Sequence, residues 1–293
     1  MTSPRSRLRA SAAATLLGVL CGCGGAATDS SAAATVRRLS TALVDEPDPA
    51  VLWQALPESY RRDVSAWAAA LAAKAPVPVY EQLFDVIRRA GLVLKTRGDL
   101  LARTVPLELR AALRNADEED LAAASLALGD ALMLLGSGPW SHVAGLQSLD
   151  IDAALRASGR RMLGSALRAS RVLPQDASGF LRVTSVEQLA ATQRRVRLRI
   201  ATPAWTREVA FRQVDQQWVP ELLADRWPDL DRAVRAALDA FDPRSSEARA
   251  AEGWLQTLRT SLDSLAAAKD RPAVAREFDK LRANLLMRSL RGR

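Results

Sequence analysis

An α+β fold, predominantly helical with amphipathic helices flanking a small three- to four-stranded antiparallel meander around 180–220, follows from one change of period along the chain. Over most of its length apolar residues recur three and four positions apart, the spacing of helices packed by one face. Between Phe180 and Pro220 the recurrence shortens to two, most clearly in Arg195-Val196-Arg197-Leu198-Arg199-Ile200. Hydrophobic residues make up 48% of the sequence, enough to build a core from the roughly 258 residues that follow Thr35.

The first element is a leader. Arg5, Arg7 and Arg9 precede an uncharged, largely apolar stretch from Ala10 to Leu20, shorter than the roughly 20 apolar residues that a membrane-spanning helix needs. Leu20-Cys21-Gly22-Cys23 follows, and it resembles the lipobox of bacterial lipoproteins: an aliphatic residue, two small ones, then the modified cysteine. That resemblance implies a signal peptide over 1–22, a diacylglyceryl group on the Cys23 thiol, and acylation of the new amino terminus. Two alternatives stay open: modification of Cys21, and ordinary signal cleavage near Gly25-Ala26-Ala27. Gly24 in place of Asp after the cysteine implies, by the sorting tendency of such lipoproteins, the outer membrane if the cell has two. Residues 23–35 then read as the attachment cysteine and a flexible tether, GGAATDSSAAAT having no hydrophobic period, with the folded domain expected over 36–293.

Within that domain Tyr60, Val64, Trp67 and Leu71 share a helical face, Pro76 and Pro78 interrupt it, and Leu83, Ile87, Ala90 and Leu94 resume it, which predicts a helical hairpin. Another break falls near Pro106. The acidic run Asp117-Glu118-Glu119-Asp120 then caps a helix whose face includes Leu121, Leu128, Leu132 and Leu135, since carboxylates there meet free backbone N–H groups and the positive end of the helix dipole. Asp150 starts a further helix through Ile151, Leu155, Met162 and Leu167.

The sheet follows. Leu181–Val186 is expected as a first strand, and a two-residue Pro203-Ala204 loop sets Ile200 opposite Arg207, Leu198 opposite Val209 and Val196 opposite Phe211. The same register pairs Arg199 with Glu208 on the other face. Asp215-Gln216-Gln217 turns the chain into Trp218-Val219, which Pro220 ends. This order of helices and sheet, closing on "VDQQWVP", resembles small exported domains of cystatin-like or nuclear-transport-factor-like type and uncharacterised bacterial lipoproteins. The last part returns to helix through Leu230, Val234, Leu238 and Phe241, then Trp254, Leu258, Leu262 and Leu265, then Val274, Phe278, Leu281 and Leu285.

Composition removes several chemistries. Both cysteines lie in the leader region and the sole histidine is His142, so the mature domain has no disulfide, no Cys/His zinc site and no cysteine nucleophile. No phosphate-cradling loop and no nucleophile elbow occur, and neither a metal nor a cofactor is expected. Loss of the three leader arginines takes Lys plus Arg from 41 to 38 against 33 acids, leaving a net +5. Export and the interspersed acids argue against nucleic acid as a partner.

Two surfaces remain. Arg195, Arg197 and Arg199 on one strand, with Arg212 opposite Arg195, form a face that either meets solvent or receives an anionic envelope component. Trp140, in a Gly/Ser/Pro loop beside His142, is a candidate contact residue. The expectation is a lipid-anchored cell-envelope protein that binds a partner or acts as a scaffold without catalysis. The alternatives are a carboxylate-dependent hydrolase using acids such as Asp225, Asp229 and Asp231, and a soluble periplasmic ligand carrier.

Overall fold

A computed structural model describes residues 31–104, 116–173 and 176–291; the leader, Cys23 and Pro106 lie outside the described residues. In chain order the elements are α1 (Ala32–Val44), α2 (Ala50–Ala55), α3 (Glu58–Lys74), α4 (Val77–Thr104), α5 (Glu118–Ser137), α6 (Val143–Gln147) and α7 (Ile151–Ala154). A π-helical turn over Leu155–Gly159 leads into α8 (Arg160–Ala169), then come α9 (Ala177–Leu181) and strands β1 (Ser185–Ala191), β2 (Arg195–Ala201), β3 (Thr206–Val214) and β4 (Gln217–Pro220). Helices α10 (Glu221–Ala240), α11 (Ser246–Ala267) and α12 (Arg271–Arg291) complete the chain. The fold is α+β and predominantly helical, with one four-stranded antiparallel sheet in the order β1-β2-β3-β4. The sequence reads one domain over 36–293; the residues pack as two compact units, each assembled from three separate stretches of chain.

The first unit comprises residues up to Trp67, Ile151–Gly159 and Ser178–Asp239. Its sheet has the expected β2–β3 register, with Ile200 opposite Arg207, Leu198 opposite Val209, Val196 opposite Phe211 and Arg199 opposite Glu208. The reason is the alternation itself: Val196, Leu198 and Ile200 are buried while the arginines between them are exposed, so a one-residue slip would turn the apolar set outward. The buried face packs against Ala32 and Val36 of α1. Helix α1 therefore starts at Ala32, capped by the Ser31 hydroxyl accepting from the Ala34 N–H at 3.1 Å, four residues before the expected start of the fold. The expected first strand over Leu181–Val186 is displaced: Leu181 closes α9, and β1 begins at Ser185. Ser40 accounts for the difference, its hydroxyl donating to the Leu181 carbonyl at 2.9 Å and accepting from the Val183 N–H at 2.7 Å.

Asp215 and Gln216 link β3 to β4 with φ of 48° and 65°, the left-handed pair of a tight two-residue hairpin. Asp215 is held there by work at a distance. Its carboxylate accepts from the Ser59 N–H at 2.9 Å, satisfying a free donor in the first turn of α3. That side-chain and backbone bonding to Ser59 keeps the Asp215 carboxyl below the usual carboxylate range. Gln216 has no such compensation in its backbone angle, so Gln216→Gly is expected to raise stability by about 0.5–1 kcal/mol, the left-handed penalty relieved less the entropy of glycine. A denaturant midpoint that rises at unchanged slope checks it.

Helix α10 begins at Glu221 and runs through Pro228, well before Leu230, the first residue of the apolar face read from the sequence. The proline removes one intrahelical bond, but the helix is fixed across it by a reciprocal clasp with α3. Trp227 donates to Asp63 at 2.8 Å and Trp67 donates to Asp231 at 2.9 Å, so each helix supplies one indole and one carboxylate four residues apart, and the two run in the same direction. Arg235 bridges both acids, at 2.7 Å from Asp231 and 3.2 Å from Asp63. The Trp227 ring lies between Tyr60, stacked at 3.9 Å, and Trp67 at 5.4 Å.

The second unit comprises Ala68–Asp150, Arg160–Ala177 and Ala240–Arg293. Its central helix is α4, flanked by α5 and α11. The anticipated hairpin partner is thus replaced: the closing turns of α3 pack Ala72 against Val143 and Leu146 instead, while α4 pairs with α5. Glycines set that pairing. Gly91 and Gly98 on α4 and Gly129 and Gly136 on α5 each lie seven residues apart, two helical turns, and the backbones touch there; a Cβ on Gly91 would meet the Gly129 carbonyl at 2.7 Å, and one on Gly136 the Arg88 nitrogen at 2.7 Å. The expected leucine face of α5 is accordingly shifted. Leu121 is buried but Leu128 is 41% exposed, and the buried stripe is Ala127, Gly129, Ala131 and Gly136, because only small residues fit so close an approach. On its other side α4 contributes Val86 and Val93 to a core with Leu255, Leu262, Leu265 and Val274. The acidic run is the cap expected of it: Asp117 accepts from the Asp120 N–H at 2.8 Å.

Candidate functional site

The arginine face lies on the exposed side of the sheet, and most of its charge is matched internally. Arg199 donates to Glu187 at 2.9 Å and to Glu208 at 3.1 Å, an acid–base–acid row across β1, β2 and β3. Glu208 and Glu187 together hold the guanidinium protonated beyond its ordinary range. Arg195 and Arg212 are cross-strand neighbours as expected, and their like charges are offset from the first turns of α10, where Glu221 pairs with Arg195 at 3.2 Å and Asp225 with Arg212 at 2.9 Å. Arg197 stands between Ala190 and Ala210. Sequence reasoning found the arginines and the Glu208 partner; it missed Glu187, whose place depends on the β1 register, and Glu221 and Asp225, which α10 brings back over the sheet.

The acids named for hydrolysis are dispersed by their partners. Asp225 binds Arg212, Asp229 binds Arg232 at 3.0 Å, and Asp231 binds Trp67 and Arg235. Asp225 and Asp229 have side chains more than half exposed, at 61% and 69%. Both lie at the surface, each engaged by an arginine, and among the described residues they do not flank a common cleft.

Trp140 has a local explanation. It lies in a short 3₁₀ turn, Pro139–Ser141, directly after α5, and its indole N–H donates to the Leu135 carbonyl at 2.8 Å, closing one of the open acceptors at the helix end. Gly138 lacks the Cβ that would run into the indole ring. The Tyr80 hydroxyl donates to the Trp140 carbonyl at 2.5 Å, and the buried Ser141 hydroxyl donates to the Gly138 carbonyl at 2.7 Å. The loop is thereby fixed in place, and the indole's polar edge is used inside the unit.

What this fixed loop builds is a cleft of about 240 Å³, within the second unit. One wall is a single stripe of α4: Glu81, Phe84, Asp85 and Arg88, at the helical spacings of three, four and seven. The opposite wall is the end of α5 and the loop: Gly136, Ser137, Ser141 and His142. Gly136 brings the two walls together, its position leaving no room for a Cβ beside the Arg88 and Phe84 backbone. His142 is 3.5 Å from Glu81 through Nδ1, with its side chain 67% exposed. Asp85 faces Arg88 at 2.6 Å, Arg89 at 2.7 Å and Arg259 of α11 at 3.6 Å, while Arg89 also pairs with Asp263. Burial works against the charge on Asp85, but the bonds from Arg89 and Arg88 outweigh it and leave its carboxyl below the usual range. The sequence placed Trp140 and His142 together; the α4 wall was hidden because its polar residues read as the solvated side of an amphipathic helix.

Among the described residues no group of three or more His, Cys, Asp or Glu side chains is placed to hold a metal. No family model matches the chain, and no curated protein or solved structure matches it either.

Proposed function

We propose that this chain is a lipid-anchored cell-envelope protein that works by binding, as a receptor or scaffold, without catalysing a reaction. The observation that carries the proposal is the arginine-led apolar stretch ending at Leu20-Cys21-Gly22-Cys23, with Cys23 as the lipid-bearing residue. Two or more acyl chains on that residue give stable anchoring, each buried methylene contributing about 0.8 kcal/mol. The eight residues from Gly24 to Ser31 span at most about 28 Å when extended, so α1 and the sheet it covers stay near the membrane surface. The binding reading is favoured over hydrolysis because Asp225, Asp229 and Asp231 are each committed to an arginine or an indole. With Arg195, Arg199 and Arg212 also matched by acids, the partner is better sought as an envelope protein or a neutral component than as an anion on the arginine face.

Cys23→Ala is expected to move the protein from the membrane to the soluble fraction of the cell. Retention of the variant in membranes washed with salt would remove the anchor; a soluble wild-type protein would favour the ligand-carrier alternative.

A further inference from the structure

We infer that the cleft between α4 and the end of α5 is a binding site for a neutral, hydroxyl-rich ligand the size of a single sugar ring. Three features of the walls lead to that ligand class. The first is charge balance: Glu81, Asp85 and Arg88 line the cleft, and Asp85 is further matched by Arg89 and Arg259 behind it, with Asp263 on Arg89, so the network carries three charges of each sign and no strong single-sign field to select an ion. The second is the mixture of hydrogen-bonding groups. Glu81 presents an acceptor, Arg88 spends one terminal nitrogen on Asp85 and keeps further donors, and the exposed Ser137 hydroxyl and the His142 imidazole offer both kinds. A polyol, whose every hydroxyl both donates and accepts, matches such a mixed lining better than a ligand carrying only one kind of group.

The third feature is shape. Phe84, tilted against Tyr80 at a centroid distance of 5.0 Å, gives one wall an apolar ring whose face attracts the polarised C–H edge of a pyranose. The volume of about 240 Å³ lies below that of clefts that take drug-sized molecules, which limits the occupant to one small molecule or one residue of a chain. Preorganisation completes the case: the Trp140, Ser141 and Gly136 contacts fix the loop wall before any ligand arrives, which reduces the ordering cost of binding. The inference deepens the binding half of the proposed function and is independent of the lipid.

The sole histidine makes the test direct. In the full chain, held in a detergent without a sugar headgroup, the imidazole Hε1 signal of His142 is followed while D-glucose and N-acetyl-D-glucosamine are added separately, with D-glucosamine and D-glucuronate as the charged arms. At least one neutral sugar is expected to shift the signal saturably, with a Kd on the order of 1 mM, and the charged sugars to bind less tightly. Glu81→Gln and Ser137→Ala should each weaken the neutral sugar, the first by about tenfold. No saturable shift with either neutral sugar at a roughly hundredfold excess over that Kd overturns the inference. Tighter binding of a charged sugar overturns it as well, and neither result touches membrane retention through Cys23, which fails or holds separately.

Discussion

Trp227→Ala is expected to cost the first unit about 3–5 kcal/mol. The side chain is 9% exposed and lies in the cluster with Leu39, Ala55, Tyr60, Val219 and Ala224, so its removal opens a cavity between α3, α10 and the sheet. Two further losses add to that cavity. The stacked contacts with Tyr60 and Trp67 disappear, worth about 0.5–1.5 kcal/mol each beyond the area buried. Asp63 also loses its indole donor and keeps only the longer contact to Arg235. Trp227→Phe separates these effects, since it keeps a ring for Tyr60 and removes the N–H; it is expected to lose markedly less than the alanine variant. Chemical denaturation of both variants checks the ordering, and a loss under about 1 kcal/mol for Trp227→Ala would mean that the clasp does not hold α10 to α3.

Gly129→Ala and Gly253→Ala are expected to change stability in opposite directions although both place the same methyl in the middle of a helix. At Gly129 the new Cβ would meet the Gly91 carbonyl oxygen and the Lys95 side chain, each at 2.7 Å, so α4 and α5 must separate. That overpacking costs about 1–3 kcal/mol. Separation also strains the ion pair between Lys95 and Asp130, now 2.6 Å apart. At Gly253, in α11, nothing lies within 4 Å, and the better helix former gains about 0.5–1 kcal/mol. Thermal melts of the two variants beside the parent decide the matter. Two shifts of the same sign would contradict the glycine-set approach of α4 and α5.

The sheet was legible because strand alternation carries both a buried face and a charge pair: moving β2 by one residue breaks the apolar matches and the Arg199–Glu208 pair together, so only one register satisfies both. The Asp117 cap was equally plain, as a local device whose parts lie three residues apart. What escaped was set by distant partners. A glycine inside an apolar helix reads as a weakness until its counterpart is known; the seven-residue spacing shared by Gly91 with Gly98 and Gly129 with Gly136 was the available signal, and it marks a backbone contact instead of a break. The apolar face from Leu230 gives no sign of the two turns before it, because the helix is held through Pro228 by the Trp227–Asp63 and Trp67–Asp231 bonds to a distant helix. Trp140 read as a spare contact residue because its partner, the Leu135 carbonyl, is a backbone group that no side-chain pattern announces. The α4 wall of the cleft was missed for a related reason, since Glu81, Asp85 and Arg88 gain meaning only when Ser137 and His142 are brought opposite them.

The central claim, anchoring through Cys23, is tested most directly by the intact mass of the mature N-terminal peptide from the membrane and soluble fractions of the native cell. The account predicts a membrane-fraction peptide that begins at Cys23 and carries the added mass of a diacylglyceryl group, with further acylation of the amino terminus. An unmodified terminus near Thr28 in the soluble fraction would contradict it and would make the chain an exported soluble protein.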